Sequence, residues 1–185
     1  SRLAVQNGVD LVLELPFLYA CSRGEIFASG AVDILRGIGA THISFGSESG
    51  DAEALLATAR TLLSPELVPL LKQELAGGAS FPAARQRALE RLGAPGAALL
   101  ERPNSILAVE YCKALLRRGS AMRPIVLHRA GDYHGGSAAD APSASFLRGQ
   151  ADWSGYMPEA AQAVQTAAPR YTLAAGERAV LARLR

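Results

Sequence analysis

Residues 11–46 read LVLELPFLYACSRGEIFASGAVDILRGIGATHISFG, and the changing apolar period along this stretch decides the fold. Leu11-Val12-Leu13-Glu14-Leu15 is a short, nearly continuous apolar run stopped by Pro16, the pattern of a strand buried on both faces. Phe27, Ala31, Ile34, Leu35 and Ile38 then recur at helical spacing and give one apolar stripe to a helix that ends at Gly39. His42-Ile43-Ser44-Phe45 follows directly as a second strand ending at Gly46. Strand, helix and strand in this order predict a βαβ unit, and such a unit implies parallel pairing.

Upstream, residues 1–7 read as the last turns of a helix closed by Asn7-Gly8. Downstream, residues 51–100 are helical in period, with breaks at Ser64-Pro65, Gly77-Gly78, Phe81-Pro82 and Gly93 to Gly96. This segment is expected to be a helical insertion whose alanine-rich stripes are packing surface. Leu107, Tyr111, Ala114 and Leu115 mark a further amphipathic helix stopped at Gly119, and Pro124-Ile125-Val126-Leu127 follows as a strand, so a second crossover is expected. Beyond Gly131 the sequence is loop-like, until Ser143-Ala144-Ser145-Phe146-Leu147-Arg148 begins a short helix after Pro142. Gly155-Tyr156-Met157-Pro158 closes the expected domain, which is therefore residues 1–158 with the insertion at 51–100. Residues 159–185 begin a helical region, with a final run from Gly176 to Arg185.

The composition agrees with an α/β class: the chain of 185 residues is 49% hydrophobic but only 6% aromatic, which favours helices on a small sheet. A net charge of +2 does not by itself indicate a nucleic-acid partner, and the local cluster Lys113, Arg117 and Arg118 reads as a solvated helix face. Cys21 and Cys112 supply neither a disulfide framework nor a metal spacing, so they are expected to be reduced thiols in the cytoplasm. No apolar run approaches a membrane span and the first residues show no signal-peptide pattern, so no membrane partner is expected.

In a parallel sheet the strand C-termini face the ligand crevice, which nominates Glu14-Leu15-Pro16, Gly46-Ser47-Glu48 and His128-Arg129. Gly46 permits close backbone approach to a ligand, with Ser47 beside it as a donor; a plain turn glycine is the alternative. Asn104 lies in the first turn of its helix, where free N–H groups and the dipole favour anions and where its amide can both donate and accept; as a lone residue it reads as a cap. Arg129 offers a fixed bidentate fork to phosphate, or a surface salt bridge. Ser143 and Ser145 with Arg148 one turn on would gather two hydroxyls and a cation at a helix start, where N-capping is the alternative. His42 reads as core and His134 as a loop residue; His42, His128 and His134 have no metal-ligand spacing, so no metal residues are assigned. Neither a P-loop nor a Gly-x-Ser-x-Gly elbow is present.

Taken in order, GVDLVLELPF, GEIFASGAVDIL, SFGSES, RPNSILAVEY, LHRAGDYH and SASFLR resemble the bacterial tRNA(Met) cytidine acetate ligase family. The resemblance covers nearly the whole chain through Arg148 and implies a Rossmann-like nucleotidyltransferase domain with a parallel sheet and a helical insertion. It implies ATP and Mg2+ as cofactors, acetate and elongator tRNA(Met) as partners, and acetylation of the wobble cytidine through an acetyl-adenylate. It carries ATP contacts onto Gly46, Asn104 and Arg129, and more loosely onto Ser143, Ser145 and Arg148. The family's opening strand and HxGH loop match nothing in this sequence. The N-terminal strand is therefore expected to be missing, the catalytic residues stay unassigned, and the chain alone is expected to be catalytically silent. Another nucleotidyltransferase activity, or a non-catalytic nucleotide- or RNA-binding module, is the competing expectation.

Overall fold

Two strands, β1 (His42–Ser47) and β2 (Arg123–His128), pair in parallel with His42 opposite Arg123 and Ser47 opposite His128. Parallel neighbours need a crossover, and here it is everything between them: α4 (Ala52–Leu62), α5 (Leu67–Ala76), α6 (Phe81–Arg91), a 3-10 turn (Ala97–Glu101) and α7 (Pro103–Arg117). The helices α1 (Arg2–Gln6), α2 (Phe17–Ala20) and α3 (Gly24–Gly37) precede β1, and α8 (Glu159–Ala167) follows β2. The computed structural model describes residues 2–94, 96–129, 146–147, 152, 154–167, 176 and 182–183. The chain divides into two compact units: Glu14–Ala130 holds the sheet and α2–α7, and Ser1–Leu13 with Gly131–Arg185 holds α1 and α8.

Local signals account for the helices of the larger unit. The apolar stripe of α3 buries Ala28 and Val32, and the helix closes through Gly39 N–H to Arg36 C=O at 3.0 Å and Ala40 N–H to Leu35 C=O at 3.0 Å. Asp51 caps α4 by accepting from Ala54 N–H at 3.0 Å. In α6 and α7 proline stands in the first turn, where its missing N–H costs nothing.

The alanine-rich stripes of the insertion are packing surface, as their period predicts. Leu55 and Ala59 of α4, Leu67 of α5, Ala88 and Leu89 of α6, and Val109 and Cys112 of α7 form one buried cluster. Burial in this cluster pushes the Cys112 thiol up to about 12, so it is a small apolar residue rather than a nucleophile. A second cluster joins Val32 of α3 and Ile43 of β1 to Ala114, Leu115 and Met122. Phe45 bridges the two, stacked on Tyr111 of α7 with ring centroids 5.3 Å apart. One face of the β1–β2 ribbon is thereby covered by helix, while Ile125 and Leu127 on the alternate positions remain 47% and 60% exposed.

Three sequence expectations need correction. The run Leu11–Leu15 is not a strand: it has no sheet partner among the described residues, and Leu11, Val12 and Leu13 are exposed. An apolar run becomes a strand only where a neighbouring ladder satisfies its N–H and C=O groups, so the expected first βαβ unit is present only as α3 and β1. His42 is not in the core but exposed, its Nδ1 2.9 Å from Thr41 Oγ1. Nor are Lys113, Arg117 and Arg118 a merely solvated face. Lys113 is buried against Glu110 at 2.6 Å, Arg117 pairs with Glu25, and Arg118 holds Asp33 through two bonds of 2.8 Å. Among the described residues no single helix is long and apolar enough to cross a membrane.

Candidate functional site

The C-terminal end of the β1–β2 pair and the start of α7 meet through Glu48, the first residue after β1. Its Oε1 accepts from Asn104 N–H at 3.2 Å and from Asn104 Nδ2 at 2.7 Å. Its Oε2 accepts from Ser105 N–H at 2.8 Å and from Ser105 Oγ at 2.7 Å. The N-cap residue of α7, Arg102, gives no side-chain cap, so a carboxylate from a distant strand end occupies the anion position that the helix start offers. Burial alone would raise the Glu48 carboxyl, but the bonds from Asn104 and Ser105 outweigh it and hold the group at about 2. Ser47 Oγ is buried and lies 2.9 Å from Ser105 Oγ, which ties the strand end to the same helix turn.

This clamp fixes what Asn104 presents. Because a carboxylate only accepts, the Asn104 edge facing Glu48 is the NH2 group, and among the described residues nothing donates to its Oδ1. Asn104 is therefore not an open donor for an anion, as its position in the first turn suggests; its free group is an acceptor. Ser47, expected beside Gly46 as a ligand donor, is instead spent inside the protein on Ser105.

Gly46 and Arg129 touch across the ribbon. Arg129 N–H donates to Ser47 C=O at 2.9 Å, which places its side chain along the β1 end. A Cβ built on Gly46 would stand 2.9 Å from Arg129 Cδ and 3.2 Å from Arg129 Cγ, so the absence of a side chain at Gly46 is what lets Arg129 lie there. Gly50, at φ +65°, turns the chain after β1 so closely that a Cβ would meet His128 Cβ at 3.0 Å. Among the described residues the exposed Arg129 guanidinium has no carboxylate partner.

Gly46 and Arg129 are thus brought into contact, and Asn104 joins the same strand end through Glu48. Ser143, Ser145 and Arg148 lie outside the described residues, as does His134. Glu48 carries more of the geometry than its place in a list of strand-end residues suggests. The available signals were an acidic residue directly after a strand and a helix start, Pro103-Asn104-Ser105, whose own N-cap is an arginine.

A family model described as HIGH Nucleotidyl Transferase matches residues 1–182. The chain belongs to this family. Among curated relatives of this nucleotidyl transferase chain, it is 43% identical over 136 residues to the tRNA(Met) cytidine acetate ligase of Caldicellulosiruptor saccharolyticus, covering 72% of this chain and 34% of the relative. The proteins of the same name from Bacillus subtilis and Alkaliphilus metalliredigens are 41% and 45% identical, with 72% of this chain and 33% and 35% of the relatives covered. The crystal structure of Thermotoga maritima TmcAL bound with alpha-thio ATP superposes with a TM-score of 0.67 at 40% identity, over 70% of this chain and 34% of that one. The apo form of that protein gives a TM-score of 0.69 at 38% identity, over 75% and 35%. The chain spans about a third of the length of the relatives it matches. The parallel pair, the Rossmann-like class and the nucleotidyl transferase resemblance read from the sequence agree with these likenesses.

Proposed function

We propose that this chain is the nucleotide-holding portion of a tRNA(Met) cytidine acetate ligase acting in the cytoplasm, and that Gly46, Asn104 and Arg129 contact ATP. The single observation that carries the reading is the convergence of a bare glycine, a guanidinium with no carboxylate partner among the described residues and a rigidly clamped asparagine at one parallel strand end. In this reading Arg129 lays its planar fork on a phosphate group over Gly46. Asn104 Oδ1 accepts from a nucleoside donor, a ribose hydroxyl or the adenine amine, because Glu48 has committed its NH2. Glu48 itself is a positioning residue, since both carboxylate oxygens are already engaged.

The reaction supported by the relatives' name joins acetate and cytidine at the expense of ATP. An acetate oxygen attacks the α-phosphorus, pyrophosphate leaves, and the cytidine amine then attacks the acetyl carbon of the adenylate with AMP leaving and a proton lost from nitrogen. Magnesium would neutralise phosphate charge; among the described residues no group of three His, Cys, Asp or Glu gathers, so no residue is assigned to it.

Calorimetric titration with ATP tests the site. The Arg129→Ala chain should bind at least about tenfold more weakly, the loss expected for a hydrogen-bonded charge. Equal affinity in both chains would remove Arg129 from the site. No HxGH pattern is present among these 185 residues, so acetate-dependent ATP to pyrophosphate exchange by this chain is expected to be undetectable. Measurable exchange would reassign the catalytic groups to residues within it.

A further inference from the structure

We propose that the cavity between the start of α3, α5, α6 and the flank of α7 is a docking pocket for one phosphate-bearing nucleotide of an RNA strand, an inference that rests on the tRNA reading above. The cavity has a volume of about 460 Å³, within the range of small-ligand pockets, and lies wholly inside the Glu14–Ala130 unit. Its charged wall carries Arg23, Arg85, Lys113 and Arg117 against Glu25 and Glu110, which leaves two positive charges unmatched. The charges are graded by depth. Arg85 and Lys113 both pair with the buried Glu110, at 3.1 and 2.6 Å, and fix the floor. Arg117 and Arg23 meet the Glu25 carboxylate at the rim, which Lys113 also approaches at 3.8 Å; Arg23 stands at 3.9 Å with 76% of its side chain exposed. Each carboxylate thus carries one cation in excess, and the excess at the mouth is where a phosphate can arrive without being stripped of water first.

The rest of the lining is largely apolar and includes Phe81, 56% exposed, with the Arg85 guanidinium carbon 6.0 Å from its ring centroid. A flat, unpaired base stacks on such a ring and on an arginine plane, and single-stranded RNA is recognised this way. An acidic peptide would satisfy the cations but leave the exposed ring without a planar partner, which is why a nucleotide is favoured. The pocket and the Glu48 clamp share α7: Asn104 and Lys113 are nine residues apart, about 14 Å along the helix axis. Nine residues are about two and a half helical turns, so the pocket and the clamp lie on opposite faces of α7, and the docked nucleotide is distinct from the one read at the clamp.

The test is binding of an elongator tRNA(Met) transcript to the full chain across a salt series, alongside Arg23→Ala, Phe81→Ala and a control, Arg36→Ala, whose side chain does not line the cavity. Both test side chains are largely exposed, so melting temperatures should match the parent and folding does not confound the result. Arg23→Ala should weaken binding severalfold and reduce the slope of log affinity against log salt by about one. Phe81→Ala should weaken binding by about tenfold with the slope unchanged, the mark of lost stacking. Parental affinity and slope in both variants, or losses no larger than those of Arg36→Ala, would overturn the pocket while leaving the tRNA reading intact. Absence of RNA binding by the parent chain would sink both, with ATP titration still judging the nucleotide site. Competition by a polyglutamate peptide equal to that by an RNA oligomer would convert the pocket into a peptide site and overturn the proposal.

Discussion

Glu48 is the residue on which the local geometry turns. It does the work of an N-cap for a helix that supplies none of its own, and it does so across a tertiary contact between the β1 end and α7. Glu48→Gln keeps the size but replaces one acceptor with an NH2 group facing the N–H groups of Asn104 and Ser105. The expected cost is about 1–2 kcal/mol, that of a lost cap with an unsatisfied donor, read by urea unfolding at pH 7. The pH dependence has a definite sign. The folded carboxyl is held at about 2 against an ordinary 4.5, so its contribution is complete above 4.5 and lost as pH falls from there toward 2. Parent and variant stabilities should therefore converge on acidification within that window. A gap that stays constant down to pH 2 would mean the carboxylate charge is not what holds the clamp.

At the scale of elements, α7 organises the larger unit, because it faces the sheet through Tyr111, the insertion through Val109 and Cys112, and α3 through its basic residues. Glu110 sits on that helix as a buried carboxylate between Arg85 and Lys113, which are 14% and 10% exposed. Removing it leaves the poorly hydrated Arg85 without its carboxylate and Lys113 with only the longer contact to Glu25, so Glu110→Ala should destabilise by about 3 kcal/mol in denaturant unfolding. Adding Lys113→Met should recover part of the loss, whereas purely additive losses would show that the pair is not coupled. The elements themselves were largely legible: the period of α3, the apolar register of β1 and β2, and the proline and glycine breaks of the insertion all act through local sterics that a sequence displays. Leu11–Leu15 was misread because strand formation depends on a pairing partner, which an apolar run does not encode. Lys113 was misread for a related reason. Its charge suggests solvent, but burial is decided by Glu110 and by Glu25 on another helix, 3.8 Å away. In the same way, Gly46 and Arg129 were visible as strand-end residues, while the Glu48 clamp needed the fold to join residues 56 and 57 positions apart.

For the whole molecule, any ligand that binds only the folded chain must raise its stability, and the size of that rise depends on how many of the ligand's groups are read. In the proposed reading the site would divide the nucleotide between an arginine fork suited to phosphate and an asparagine acceptor suited to a sugar or base donor. At a free ATP concentration a hundred times its dissociation constant, the gain should be about 2.7 kcal/mol. For a chain of 185 residues this corresponds to a rise in melting temperature of roughly 5–10 °C. Inorganic triphosphate at the same concentration engages only the Arg129 side of the site and should give a distinctly smaller rise. Adenosine alone, lacking phosphate, should give less again. Equal shifts from triphosphate and ATP in a thermal melt would mean that Asn104 reads no part of the nucleoside. The convergence at the strand end would then be a phosphate site alone.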